Sequence, residues 1–423
     1  MGPEAYLDLG GEIQEDDLVC RFRLRPARDA AVEASAGAVA AESSIGTWTD
    51  VKTLSAEMRS RLRARVVSIE GDLATIAYPD ILFEKGNMAQ VYSGIAGNIF
   101  GMKGIERLRL ESVRFPLRYL QSFPGPQRGV AGIRETLGIY GRPLVGTIVK
   151  PKLGLDPKAH AQVVYDAMEA GCDVVKDDEN LTSQPFSPFS ERLAACLDAR
   201  KRAEDKTGEA KGYIPNVTAP AQVMLRRAAE AARLGARFVM VDFITAGWSG
   251  VQSLRDAGLG MVLHGHRAMH AAVTRIPDHG IAMCVLAASA RAVGIDQLHV
   301  GTAVGKMAGG EADVVKSVDA LRGETTEQGS SFPAQDWTGF KRTMPIASGG
   351  LHPGHVPALY RIFGKEVILQ FGGGIHGHPD GTAAGARAVR QSLQAALEGM
   401  DLSEFRKGAP ALDRALKQWE PQR

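Results

Sequence analysis

Cysteine is scarce in this chain. Its four residues, Cys20, Cys172, Cys196 and Cys284, lie far apart and form no CxxC pair. That argues against a disulfide framework or a zinc site and for reduced thiols in a cytosol. One-signed charge is equally lacking. The formal net charge is +2 with no long run of either sign, so neither a nucleic-acid face nor a membrane partner is expected. Long hydrophobic runs are missing too. Residues 86–102 come nearest to a span, but Asn87, Gln90, Ser93 and Asn98 interrupt them, and a span needs about 18 or more mostly apolar residues. The opening stretch MGPEAYLDLGGEIQEDD is acidic and lacks a basic-then-apolar leader pattern, and Tyr6 stands where a myristoylation pattern needs Ser or Thr. A cytoplasmic location is the expectation.

What remains is an ordinary globular composition, 44% hydrophobic and 23% charged over 423 residues, long enough for a barrel plus a smaller domain. Two rhythms divide it. In residues 1–125, the segment 19–25 alternates apolar Cys20, Phe22 and Leu24 with Arg21, Arg23 and Arg25, the pattern of a half-buried strand. Asp29 is read as the cap of an Ala-rich helix reaching about Ser43. Segments 62–69 and 73–78 flank Glu70-Gly71-Asp72 as a hairpin. A helix over 88–96 and a strand over 105–113 complete the order βαββαβ, a ferredoxin-like α+β domain.

Residues 126–423 repeat strand then helix. The strands are expected at 144–149, 173–176, 213–217, 238–243, 261–264, 297–300, 344–347 and 367–371. Asp156-Pro157 and Ser187-Pro188 are read as helix caps, and Gly235 as the stop of a helix over 222–234. Eight βα units in about 250 residues point to a (β/α)₈ TIM barrel, with an open doubly wound sheet as the structural alternative.

Unusual residues gather where these strands end: Lys150-Pro151-Lys152, then Lys176-Asp177-Asp178-Glu179-Asn180, then His264-Gly265-His266-Arg267. His299 with Gly301 and Lys306, Ser348-Gly349-Gly350 and Gly372-Gly373-Gly374 follow. Each has a bland reading: solvated lysines, an acidic helix start, core histidines, tight turns. Their shared placement favours function, because a barrel builds its active site at that end. The two glycine motifs offer backbone N–H groups to a phosphate, and Arg267 with His299 could hold a second anion. Asp178 and Glu179 supply hard oxygen ligands suited to Mg²⁺. Lys176 shares a strand face with Asp178.

The run GCDVVKDDENLTSQPF resembles the lysine-bearing segment of the large chain of ribulose-1,5-bisphosphate carboxylase/oxygenase (RuBisCO). GTIVKPKLGL, HGHRAMHA, HVGTAVGKM, SGGLHPG and LQFGGG resemble its other barrel motifs in the same order, and AAESSIGTWT and GNIFGMK match its N-terminal domain. The resemblance covers about residues 18–400, and its texture is similar to the form III, archaeal-type members.

The resemblance implies an enzyme that enolises ribulose 1,5-bisphosphate, adds CO₂ or O₂, and with CO₂ yields two 3-phosphoglycerates. It implies that Lys176 is carbamylated by CO₂, binds Mg²⁺ with Asp178 and Glu179, and removes the C3 proton. Lys150 would deliver the last proton at C2, with Lys152 tuning it, and His266 would move protons near the enediol. Lys306 would close over the site and polarise CO₂. Gly350, Gly372, Gly373, Thr47 and Trp48 would hold one phosphate, and Arg267, His299 and Ser348 the other. Glu42 and Asn98 would reach the site of a neighbouring subunit, making a homodimer the least active unit, with no small subunit required. Two departures stand out: Ala308 where a glutamate is usual, and Ile45 where threonine is frequent. The alternatives are a RuBisCO-like enolase or isomerase that does not fix CO₂, and a silent scaffold on the same fold.

Overall fold

The computed structural model describes residues 2–28, 30–47, 49, 51–304, 310–326 and 332–419. Strand Asp17–Pro26 buries Cys20, Phe22 and Leu24 and leaves the three arginines between them at least partly open. It lies between Ile105–Arg114 and Leu73–Pro79, antiparallel to both, and Arg65–Glu70 pairs outside Leu73–Pro79. Gly71 turns that hairpin at φ +64°, a value that favours glycine. Helices Val32–Glu42 and Met88–Ile95 bury Val39, Val91 and Ile95 in the adjoining core.

Two local expectations need correction. Leu62 ends a helix, Ala56–Leu62, instead of starting a strand; the Ser55 side chain accepts the Met58 N–H at 3.1 Å and caps it. The strand begins only at Arg65. Helix Val32–Glu42 begins after Ala31 with no side-chain cap; Asp29 lies outside the described residues.

In the second segment eight parallel strands follow one another: Leu144–Ile148, Val174–Lys176, Gly212–Ile214, Phe238–Asp242, Val262–His266, Gln297–Gly301, Met344–Ser348 and Ile368–Phe371. The sheet runs third, second, first, eighth, seventh, sixth, fifth, fourth. The bridge Asn216–Met240, with Met240 N–H on Pro215 O and Val217 N–H on Met240 O, joins the third strand to the fourth and closes the ring. The open doubly wound alternative is therefore excluded.

Leu144, Val174, Ile214, Phe238, Val262, Met344 and Ile368, from seven of the eight strands, form one buried cluster with Val130, Ile133 and Leu137. Those three come from helix Gly129–Leu137, tied to the strand starts by the Arg128 and Gly129 N–H groups on Asp296 Oδ1 at 2.6 and 2.7 Å. This helix plugs the N-terminal mouth, leaving the other mouth for chemistry.

Asp156 caps helix Pro157–Glu169, accepting the Ala159 N–H at 2.8 Å. Ser187 does not repeat the motif. Its Oγ accepts from Arg192 Nη1 at 3.2 Å, and helix Phe189–Thr207 starts with no side-chain cap. The two segments are joined by Gln335, whose carboxamide bonds both Phe115 N–H and Phe115 O at 2.8 and 3.1 Å. Among the described residues no helix is long and apolar enough to cross a membrane.

Candidate active site

Side chains alternate along a strand, so the parity that buries apolar residues near the plugged mouth carries different residues further up. Counting in twos from Leu144, Val174, Phe238, Val262, Met344 and Ile368 reaches Ile148, Lys176, Asp242, His264, His266, Ser348 and Gln370. There the barrel opens into a cavity of about 690 Å³. Its lining includes Lys150, Glu179, His266, Arg267, His299, Ser348, Gly350, Gly372 and Gly373. Six separate strand ends are thus brought to one mouth.

Lys176 lies beneath, fully buried. Its Nζ donates to Asp177 O at 2.8 Å, and lies 3.5 Å from Glu179 Oε2 and 3.4 Å from Met240 Sδ. Burial lowers its pKa, against the pull of Glu179, Asp178, Asp242 and Asp177, so the neutral amine is favoured relative to an ordinary lysine. Asp178 accepts Lys150 Nζ at 2.6 Å on one oxygen and Asn180 on the other. Burial works to raise the Asp178 carboxyl, but the bonds from Lys150 and Asn180 outweigh it and hold it low. Glu179 follows the same pattern, with burial offset by Lys176 and His266.

Asp177 takes the opposite parity and leaves the site. It is buried among Tyr213 Oη at 2.5 Å, Asn216 N–H at 3.0 Å, Arg192 Nε at 3.1 Å and His160 Nε2 at 3.1 Å. It ties the second strand to its neighbours.

His266 Nδ1 faces Asp242 Oδ1 at 2.7 Å. A carboxylate there favours a proton on Nδ1 and leaves Nε2 as the basic nitrogen. Further across, Gln297 Nε2 donates to His264 Nδ1 at 3.0 Å. His264 then donates from Nε2 to His299 Nε2 at 2.9 Å, and His299 from Nδ1 to Ser348 Oγ at 2.6 Å. The chain runs one way and leaves the Ser348 hydroxyl proton for an incoming anion. Burial pushes both imidazoles well below the usual range, so the chain is neutral. Arg267 is the nearby cation. Burial lowers its pKa to about 10, and among the described residues its guanidinium has no hydrogen-bond or ion-pair partner. An anion arriving there meets an uncompensated, poorly hydrated guanidinium.

The remaining predicted residues are elsewhere. Lys152 is exposed, with no hydrogen bond or ion pair among the described residues. Thr47, Glu42 and Asn98 are exposed on the N-terminal segment and are not among the residues lining this cavity; Asn98 Nδ2 donates to Glu42 Oε1 at 3.2 Å. Lys306, Trp48 and Ala308 lie outside the described residues. Sequence reading missed Asp242, Asn216, whose Nδ2 holds Glu179 O at 3.0 Å, and Gln370. Each stands alone at a strand end, so only its register could have marked it.

Among the described residues no three His, Cys, Asp or Glu side chains are gathered as a ready metal group. Two carboxylates flank an amine instead. That set suits a hard divalent ion if the amine gains an oxygen, because all three donors are then oxygens.

Comparison with known proteins agrees over nearly the whole chain. The model for the ribulose bisphosphate carboxylase large chain, catalytic domain, matches residues 129–419, and that for its N-terminal domain matches residues 5–119. A ribulose bisphosphate carboxylase of Methanosarcina acetivorans is 47% identical over 421 residues, 98% of each chain. One from Pyrococcus abyssi is 46% identical over 98% of this chain and 96% of its own. Among solved structures, the octameric enzyme of Pyrococcus horikoshii OT3 in complex with sulfate superposes with a TM-score of 0.92 at 44% identity, covering 99% of this chain and 97% of that one. The dimeric archaeal enzyme of Hyperthermus butylicus gives 0.92 at 43% identity over 99% of each.

Proposed function

The chain belongs to the family of the ribulose bisphosphate carboxylase large chain, and from that membership we propose how its site works. The chain carboxylates ribulose 1,5-bisphosphate to two molecules of 3-phosphoglycerate. The observation that carries this reading is Lys176: a fully buried amine, its pKa lowered, 3.5 Å from Glu179. A neutral amine is the form that attacks CO₂, losing a proton to become a carbamate.

Lys176 so modified, Asp178 and Glu179 would hold Mg²⁺. When bound, ion and carbamate supply polarisation of the sugar's oxygens and a basic oxygen beside C3. The chain's own groups do the rest. Arg267 and the Ser348 hydroxyl receive one phosphate, oriented by the neutral His299–His264 pair. Backbone N–H groups at Gly350, Gly372 and Gly373 receive the other, with Thr47 and Trp48. Lys150, held on Asp178, keeps a proton at Nζ for C2 at the end of the cycle, and Lys152 adjusts the field around it. His266 exchanges a proton at Nε2, its tautomer set by Asp242. Lys306 draws CO₂ toward C2, and water is then added at C3 before the C2–C3 bond breaks. O₂ competes for the same enediol, giving an oxygenase side reaction.

The proposed division into residues 1–125 and 126–423 separates the four antiparallel strands of the first sheet from the eight-stranded barrel, although Gly280–Ile281 of the second segment adds a short parallel strand to the first sheet. Asn98 and Glu42, bonded to each other on the first domain, complete the site of a second copy, so the working unit is a homodimer or an assembly of dimers without a small subunit. Dimeric and octameric archaeal relatives support this. A cytoplasmic setting fits the reduced thiols.

The test is product analysis. Protein preincubated with bicarbonate and Mg²⁺ is given ¹⁴CO₂ and ribulose 1,5-bisphosphate. Label in 3-phosphoglycerate, absent for Lys176→Met, is the expected result. Unlabelled, isomerised sugar phosphate from active protein would identify an enolase instead.

A further inference from the structure

We propose that a second cavity, between the N-terminal sheet and two barrel helices, binds a small, neutral, mostly apolar molecule through one hydrogen-bond acceptor. This cavity, of about 300 Å³, shares no lining residue with the barrel mouth. Val113 of strand Ile105–Arg114, Val285 and Ala288 of helix Met283–Val293, Ala320 of helix Glu311–Arg322 and the ring of Trp337 give it apolar walls. The charged residues of its lining, Lys316 and Asp319, are exposed and opposite in sign, so it favours neither an anion nor a cation. The inference does not depend on the carboxylase reading.

The walls are tied to one another without an occupant. Ala282 N–H donates to Leu110 O at 2.9 Å and fixes the start of helix Met283–Val293 on the sheet. Arg291 Nη1 donates to Ala320 O at 3.1 Å and Gly323 O at 2.8 Å, joining that helix to the end of Glu311–Arg322. Gln335 holds the strand side through Phe115. A pocket framed in this way is formed before its ligand arrives, and little ordering opposes binding.

One polar group of the lining is left over. Thr326 Oγ1 donates to Asp319 O at 3.2 Å, Gln335 Nε2 to Phe115 O at 3.1 Å and Cys284 Sγ to Glu111 O at 3.4 Å. Ser112 is partly open to water. Trp337 is 2% exposed, and among the described residues its Nε1 has no hydrogen-bond partner. Folding alone does not ask for that N–H. Arg291 lies over the ring, 4.3 Å from its centroid, and Phe340 meets it edge-on; phenylalanine offers the same face and strands no donor. A buried donor without a partner is costly, and an indole N–H can only donate. The ligand must therefore bring an acceptor, a carbonyl oxygen or ring nitrogen, on an apolar body.

Two neutral probes of similar shape separate the contributions: acetophenone, with a carbonyl, and ethylbenzene, without one. Ligand-observed NMR titrations on the whole protein should show both binding to the wild type. Trp337→Phe should weaken acetophenone about fivefold, the scale of one neutral hydrogen bond, and leave ethylbenzene unchanged. Acetophenone should also shift the Trp337 indole resonance, identified among the four tryptophans by its loss in that variant. Ala288→Leu, which fills the cavity, should abolish binding of both probes with no fall in melting temperature. Equal weakening of both probes by Trp337→Phe, or of neither, would overturn the inference. So would an unmoved Trp337 resonance, or undiminished binding to Ala288→Leu. Trp337→Leu and Ala320→Leu repeat the comparisons if the first variants fail to fold. Unfolding of both members of either pair also contradicts the inference, since the indole or the empty space would then serve the fold.

Discussion

Lys176 and Asp177 are neighbours in sequence with opposite fates. One residue along a strand reverses the facing direction, so Lys176 enters the barrel and Asp177 enters the strand–helix layer. Sequence reading singled out Asp178 and Glu179 and gave Asp177 no role, and the pairing of the strand shows where Asp177 goes instead, onto Tyr213 and Arg192. The same register brings Asp242 onto His266. Asp242→Asn should lower kcat about 10- to 100-fold with KM little changed, the usual scale for removing a group that orients a working histidine; steady-state kinetics decides it. An unchanged kcat would mean that His266 keeps its orientation without the carboxylate. Stripping Mg²⁺ with a chelator should abolish activity. Preincubation with Mg²⁺ in CO₂-free buffer should give a lower initial rate, once bicarbonate and sugar are added together, than preincubation with Mg²⁺ and bicarbonate, because the proposed carbamate on Lys176 forms only where CO₂ is present. The lysines, glycines and histidines of the site were legible because they come in motifs. Gln370 and Asn216 were not, because a single amide at a strand end carries no pattern.

At the scale of elements, Asp177 joins four of them: its own strand, helix Pro157–Glu169 through His160, helix Phe189–Thr207 through Arg192, and strand Gly212–Ile214 through Tyr213. Asp177 and Arg192 are both fully buried. Breaking such a pair strands a charge, so Arg192→Met should cost about 3–5 kcal/mol of stability. Replacing Asp177 by Leu as well should recover much of it, read from denaturant midpoints. If Arg192→Met alone is neutral, the network does not hold these elements together. The barrel strands were readable from their apolar runs and polar ends. Ala56–Leu62 was not, because its short helix adjoins a true strand and Leu62 fits the strand's alternation. Gly129–Leu137 was also missed: Gly129 and Gly132 weaken its local helix signal, and burial of Val130, Ile133 and Leu137 in the barrel mouth sustains it.

At the scale of the molecule, the proposed site takes most of its groups from the barrel and Asn98 and Glu42 from a neighbouring copy. Asn98→Ala and Lys176→Met chains should each be nearly inactive alone. Mixed and allowed to exchange subunits, they should regain about a quarter of wild-type activity, since half the reassorted dimers carry one intact site of two. No recovery after proven exchange would place both residues in one subunit's site. The ring closure and the plugged mouth explain why chemistry gathers at one end, and a barrel could be expected from the count of βα units. The exposed position of Asn98 and Glu42 is a property of the folded chain that no local pattern announces.

The proposed chemistry turns on one amine, and carbon NMR can observe it. Wild-type protein equilibrated with ¹³CO₂ and Mg²⁺ should show a carbamate carbonyl resonance that disappears in Lys176→Met, while Lys150 and Lys152 remain in place. A resonance that survives the substitution, or none from protein that is fixing CO₂, would contradict the assignment of Lys176 as the centre of the site.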